Sequence, residues 1–252
     1  MLIDSIGRGH PIIFIHGWAM NKDVFKPFFE KLDKNKYQLL FFDLPEMDEN
    51  DSWEDCITQI SDAIQDFNFD SFDIFGWSLG GQVAIEICRL NMAKVKKIIL
   101  TSSTPLFINN NVWEFGLNEA IFENFAKSIM NDQKKTLTNF YNLQLLGQKN
   151  KKAILKYLTN CIATQDLNIN SLKFYLSQMK NNNFLKFMKN MNCDIHLIAG
   201  GQDKIVPIES QTFMQKNFGN VKKTLFINKA SHVPFLSHPE ECATYLDDIY
   251  HE

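Results

Sequence analysis

The sequence predicts an α/β fold, a mostly parallel, doubly wound sheet with a helical cap inserted into it. Three observations predict it. Short apolar runs near 11–16, 37–43, 71–76, 95–102, 195–199 and 223–228 alternate with helical patterns, the order that lays parallel strands side by side under helices. The apolar run at 72–75 passes through Gly76-Trp77-Ser78-Leu79-Gly80 straight into the helical pattern of 82–87, so a strand, a tight turn and a helix follow one another. Between 108 and 190 no strand-like run occurs, and helical patterns such as that at 120–126 succeed each other. At 252 residues and 45% hydrophobic content the chain suits one large core plus an insertion. The expected division is a core of 1–107 and 191–252 with a cap of 108–190.

The first predicted strand, Pro11-Ile12-Ile13-Phe14-Ile15, is apolar throughout, as a strand buried on both faces should be, and ends in His16-Gly17-Trp18. His16 precedes a turn glycine, which suits a turn-stabilising role. After the second strand comes Asp43-Leu44-Pro45 and an acidic loop, 46–51.

The third strand delivers Ser78. A serine held on a sharp strand-to-helix turn needs residues without side chains two before and two after it, so that strand and helix can approach, and Gly76 and Gly80 meet that need. The bare Gly-x-Ser-x-Gly pattern is common by chance; its flanks give it meaning. A serine hydroxyl is a poor nucleophile at neutral pH and requires a base oriented by a carboxylate. Asp203 lies just past the strand at 195–199, on the edge where parallel sheets gather catalytic groups, and His232 lies on the loop after the strand at 223–228. Taken alone, Asp203 reads equally as a cap for the helix beginning near Pro207, and His232 as an ordinary loop histidine. Together, in this order and after separate strands, they read as base and orienter. Asp73 and Asp194 fall at the opposite edge, and His238, before Pro239, reads as structural. Two backbone amides, worth about 3 kcal/mol each, should hold a developing oxyanion: that of Leu79 and that of Trp18.

The Asn-rich pieces 109–111 and 181–183 read as loops. The cap holds eleven lysines against five acidic residues, although the whole chain carries a net charge of −3. Its densest cluster, Lys134, Lys135, Lys149, Lys151, Lys152 and Lys156, suggests an acidic partner approaching the cap; a solvated lysine face is the alternative. Nucleic acid is excluded as a partner by the negative net charge and the lack of an arginine and aromatic pattern. Five scattered cysteines with no Cys-x-x-Cys predict reduced thiols and no metal site. The start, Met1-Leu2-Ile3-Asp4-Ser5, has no basic leader and no run approaches eighteen apolar residues, so a soluble cytoplasmic protein without membrane contact is expected.

Taken together, HGWAMN at 16–21, GWSLGG at 76–81, TSSTP at 101–105, FYNLQLLG at 140–147, GGQDKIVP at 200–207 and ASHVPFLSHP at 230–239 resemble the BioH-type pimeloyl-[acyl-carrier-protein] methyl ester carboxylesterases of biotin synthesis, in the α/β-hydrolase superfamily. The resemblance spans nearly the whole chain. It implies that Trp18, Ser78, Leu79, the segment Phe140, Tyr141, Asn142, Leu143 and Gln144, and His232 surround the ester. It also tips the lysine cluster toward docking of an acidic acyl carrier protein. The mechanism read from the residues requires no metal or organic cofactor, and a monomer is expected. The sequence departs from the family after Pro45, where a Gly-x-Gly turn is common and Glu46-Met47-Asp48-Glu49-Asn50-Asp51 stands instead. Phe107, Trp113, Phe122, Phe125, Phe140, Tyr141, Leu143 and Leu146 supply the apolar residues from which an acyl channel would be drawn. A general carboxylesterase, a carbon-carbon bond hydrolase of the same fold and a catalytically silent receptor are the alternatives. A dehalogenase would need a carboxylate where Ser78 stands.

Overall fold

The computed structural model describes residues 3–48, 50–91, 93–163 and 167–251. Met1 and Leu2 of the expected leaderless start, and Glu49 of the acidic loop, lie outside them. The chain runs β1 (Ile3–Gly7), β2 (His10–Ile15), a 3-10 turn (Lys22–Phe25), α1 (Lys26–Phe29), β3 (Tyr37–Phe42), α2 (Trp53–Gln65), β4 (Phe72–Trp77), α3 (Leu79–Leu90) and β5 (Val95–Thr101). It continues with α4 (Glu119–Asn131), α5 (Gln133–Gln144), α6 (Lys151–Ile162), α7 (Ile169–Asn181), α8 (Leu185–Lys189), β6 (Asp194–Gly200), α9 (Ile208–Asn217), β7 (Val221–Ile227), α10 (Pro234–Ser237) and α11 (Pro239–His251).

One seven-stranded sheet has the order β1-β3-β2-β4-β5-β6-β7, with β1 antiparallel to β3 and every other pairing parallel. The strand order reverses at β2, so the chain leaves β2 on one side for β3 and later returns on the other as β4. Such a switch point opens a crevice beyond the carboxyl ends of the two strands. Ile15 of β2 stands in register with Gly76 of β4, which sets the turn carrying Trp18 beside the turn carrying Ser78.

The six strands expected from apolar runs are present within two residues at each end. β1 is an addition. Its sequence Ile-Asp-Ser-Ile-Gly alternates instead of running apolar, because an antiparallel edge strand faces water, and the described side chains of β1 are exposed. At the core, Phe14 on β2 meets Phe25, Phe28, Phe29, Phe41 and Phe75 at centroid separations of 5.0 to 6.4 Å. This aromatic layer fixes β2 against β3 and β4 and so holds both turns of the crevice.

Asp73 and Asp194 occupy the opposite edge, as their positions require. Asp73 accepts from His10 Nε2 at 2.8 Å, the Tyr250 hydroxyl at 2.6 Å and the Lys97 amide at 2.7 Å, fastening α11 to the sheet. Asp194 is half-exposed and faces Lys222 at 3.7 Å. All five cysteines are buried free thiols.

Between β5 and β6 the described chain forms only helices and two isolated bridges. Asparagine starts two of these helices: the Asn118 side chain accepts from the amides of Ala120 and Ile121, and that of Asn168 from Asn170. No helix among the described residues is long and apolar enough to cross a membrane.

Candidate active site

Ser78 sits between β4 and α3 with φ 54° and ψ −119°, a backbone conformation that a side-chain-bearing residue rarely adopts. The surroundings impose it. The Ser78 amide donates to Thr101 O at 3.0 Å, and its carbonyl accepts from the Ser103 hydroxyl at 2.7 Å and the Gly81 amide at 2.9 Å. A methyl group on Gly76 would come within 2.5 Å of Gly80 O, and one on Gly80 would overlap the carbonyls of Ile15 and His16. The two glycines therefore permit the contact between strand and helix that strains the serine.

His232 places Nε2 3.1 Å from Ser78 Oγ and Nδ1 2.8 Å from Asp203 Oδ2. The three residues are 4%, 0% and 7% exposed for Ser78, His232 and Asp203, so these contacts are made out of bulk water. A carboxylate only accepts hydrogen bonds, so Nδ1 carries the ring proton and Nε2 is left to accept from the serine hydroxyl. The other oxygen of Asp203 accepts from the amides of Ile205 at 2.8 Å and Val206 at 3.0 Å. Asp203 thus caps the turn before α9 and meets His232 at once, each role using one oxygen. The main chain of His232 is held from two layers: its amide donates to Gln144 O at 3.1 Å, at the end of α5, and its carbonyl accepts from Trp77 Nε1 at 2.8 Å, on β4.

His16 stays apart from this chain of contacts. Its Nδ1 lies 2.8 Å from Gly17 O and its Nε2 accepts from the Leu44 amide at 3.0 Å, which ties the ends of β2 and β3 together. Burial lowers its pKa below the ordinary histidine value, so the neutral ring is favoured. His238 contacts the neighbouring Ser237 hydroxyl at the start of α11.

The amide of Leu79 opens α3, where the first turn of a helix has no internal acceptor and the helix dipole is positive. The amide of Trp18 lies in the turn after β2. Among the described residues neither amide donates to a protein acceptor. A cavity of about 280 Å³ opens on Ser78 and Trp18. Phe122 and Phe125 of α4, Phe140 and Leu143 of α5, and Leu176 and Met179 of α7 form most of its apolar wall. Ile121 and Leu143 line it and are 65% and 40% exposed, so its mouth lies between α4 and α5.

Within the segment 140–144, then, Phe140 and Leu143 face this cavity. Tyr141, Asn142 and Gln144 do not line it. The Tyr141 hydroxyl donates to Ala19 O at 2.8 Å, the Asn142 side chain to Thr138 O at 2.9 Å, and Gln144 O holds His232. Phe107 and Trp113 are buried in packing, and Leu146 is exposed. Nothing in the sequence marks Leu176 or Met179 as neighbours of the site, since both arrive from α7, about a hundred residues after Ser78.

A second cavity, about 450 Å³, lies across the Trp18 ring. Its wall includes the acidic loop, which takes its shape from α7: the Met47 amide donates to Ser171 Oγ, that hydroxyl donates to Met47 O, and the Tyr175 hydroxyl donates to Pro45 O at 2.7 Å. Of the lysine cluster, Lys151 is half-buried and the other five are exposed, and none of the six forms an ion pair among the described residues.

The model of the α/β hydrolase fold family matches residues 10–239. Over 249 residues, 98% of both chains, the sequence is 31% identical to a protein of Legionella pneumophila (strain Paris) named pimeloyl-[acyl-carrier protein] methyl ester esterase. A protein of the same name from Wigglesworthia glossinidia brevipalpis is 32% identical over 239 residues, which cover 93% of this chain and 91% of that one. Among solved structures, the esterase EaEST from Exiguobacterium antarcticum superposes with a TM-score of 0.88 at 18% identity, covering 99% of this chain and 95% of its own. A bromoperoxidase from Bacillus anthracis reaches the same score and coverage at 17% identity, and likeness at that level speaks to the fold alone.

Proposed function

The chain belongs to the α/β hydrolase fold family and, within it, to the pimeloyl-[acyl-carrier protein] methyl ester esterases, and from that premise we propose that it is a serine carboxylesterase that removes the methyl group of pimeloyl-[acyl-carrier protein] methyl ester through an acyl-enzyme on Ser78. The observation that carries this reading is the hydrogen-bonded series Asp203, His232, Ser78 ending at the floor of an apolar cavity.

His232 Nε2 takes the Ser78 proton as Oγ attacks the ester carbonyl, and Asp203 stabilises the imidazolium that forms. The amides of Trp18 and Leu79 donate to the tetrahedral oxyanion. The imidazolium returns the proton to the methoxy oxygen, methanol leaves, and water activated by the same ring frees Ser78 and the carboxylate. These steps use three side chains and two amides of one chain, so they need no second copy and no added group.

The helices of 108–190 act in this reading as a lid over the core of 1–107 and 191–252. At about 0.8 kcal/mol per buried methylene, five methylenes of a pimeloyl chain contribute about 4 kcal/mol in the cavity, enough to favour it over a short acyl group. The acidic carrier protein docks on Lys134, Lys135, Lys149, Lys151, Lys152 and Lys156, near the mouth between α4 and α5, and the expected site of action is the cytoplasm. The deciding measurement is mass spectrometry of the carrier protein after incubation with enzyme, beside turnover of free short-chain esters. Loss of the methyl group at a kcat/KM well above that for short esters supports the reading; faster turnover of short esters with an untouched carrier makes the protein a general carboxylesterase.

A further inference from the structure

The turn that carries the Trp18 amide is held by the cap. Three hydrogen bonds fasten it: Trp18 Nε1 donates to Leu172 O of α7 at 3.0 Å, Asn21 Nδ2 to Cys161 O of α6 at 2.5 Å, and the Tyr141 hydroxyl of α5 to Ala19 O at 2.8 Å. The first two grip side chains of the turn. Only the third grips its main chain, one residue past the Trp18 amide.

That grip falls on a strained residue. Ala19 has φ 57°, in the left-handed region that residues with a side chain seldom occupy. A residue kept there requires neighbours that over-determine it. Ala19 is buried and outside any strand or helix, and Tyr141 supplies the one hydrogen bond to its carbonyl among the described residues. Release of that carbonyl would let Ala19 relax toward a negative φ, which turns the Trp18–Ala19 peptide and, through the Trp18 Cα, shifts the Trp18 amide on its other side.

We propose that Tyr141 is a positioning residue of the ester hydrolysis, its hydroxyl holding Ala19 in the left-handed turn that aims the Trp18 amide at the oxyanion. Tyr141 does not line the cavity at Ser78, so it acts through the turn and not on the acyl chain. The inference rests on the reading of the protein as a serine esterase with Trp18 as an oxyanion donor.

The test is steady-state hydrolysis of a p-nitrophenyl ester by purified full-length variants, with thermal unfolding as the check on folding. Tyr141→Phe should lower kcat by roughly tenfold to a hundredfold, the scale of a displaced oxyanion donor, and leave KM unchanged. The double variant Tyr141→Phe/Ala19→Gly should regain most of the loss, because glycine enters the left-handed turn without the steric cost that alanine meets. Tyr175→Phe removes a similar buried bond, from the cap to Pro45 O, and should retain wild-type kcat. Wild-type kcat in Tyr141→Phe, no recovery in the double variant, or an equal loss in Tyr175→Phe would each overturn the proposal. Should Tyr141→Phe fail to fold, Ala19→Val makes the same demand with the hydroxyl intact, since a β-branched residue resists positive φ; unchanged kcat there also overturns it. An inactive wild-type enzyme would instead refute the underlying esterase reading.

Discussion

Asp203→Asn isolates the electrostatic role of the carboxylate from its structural one. One oxygen of Asp203 accepts from the amides of Ile205 and Val206, which an asparagine oxygen can still do. With that oxygen fixed in place, the new NH2 group occupies the position of Oδ2, 2.8 Å from His232 Nδ1. Two donors cannot share that contact, so Nδ1 must become the acceptor and the ring proton must move to Nε2. Nε2 then points a proton at Ser78 Oγ and no longer serves as a base. The same tautomer inversion in a Ser-His-Asp protease costs about 10⁴-fold in kcat, which is about 5 kcal/mol at 1.36 kcal/mol per decade. The substitution is isosteric and keeps both backbone bonds, so the melting temperature should stay close to wild type. The assay is kcat on a short ester with circular dichroism as the folding check, and the nitrogen NMR shifts of His232 report the tautomer directly. A folded Asp203→Asn enzyme within about tenfold of wild-type kcat would refute the assignment of Asp203 as the orienting group.

Three further outcomes are expected. Ser78→Gly should abolish labelling by a fluorophosphonate yet raise stability by about 1 kcal/mol in urea unfolding, because release of the backbone strain at φ 54° outweighs the extra entropy of an unfolded glycine; a loss of stability would show that the turn is unstrained. Burial lowers the pKa of His16 in the folded protein, so its contribution is complete above the unfolded value of about 6.5 and is lost as pH falls from there through the folded pKa. His16→Asn should therefore flatten the decline of the urea midpoint below that pH, and an unchanged slope would contradict the neutral buried ring. Charge reversal at Lys134, Lys135 and Lys152 should lower kcat/KM for a carrier-bound ester more than for a free ester, and the difference should shrink as salt rises; a loss independent of salt would remove the docking assignment.

What could be read from the chain follows from where the physical constraints are local. Gly76, Ser78 and Gly80 announce themselves because one turn imposes all three identities, and Asp203 and His232 follow because parallel strands deliver their loops to a single edge. β1 stayed hidden because an edge strand facing water carries no apolar run. The segment 140–144 shows the other limit. A helix turns about 100° per residue, so the Phe140 and Leu143 side chains meet the cavity while that of Tyr141 reaches the Ala19 turn, and Gln144 holds the histidine only through its main-chain carbonyl. Those directions depend on how α5 lies over the sheet, which no stretch of five residues encodes. The loop after Pro45 likewise takes its course from Ser171 and Tyr175, more than a hundred residues away.

The fastening of His232 to both layers bears on how a long substrate enters. If α4 to α7 swung outward as one body, Gln144 O would be pulled from the His232 amide that donates to it. A parting of α4 from α5 at the exposed Ile121 and Leu143 would open the cavity without breaking that bond. The base then keeps its main-chain anchor while the cavity opens.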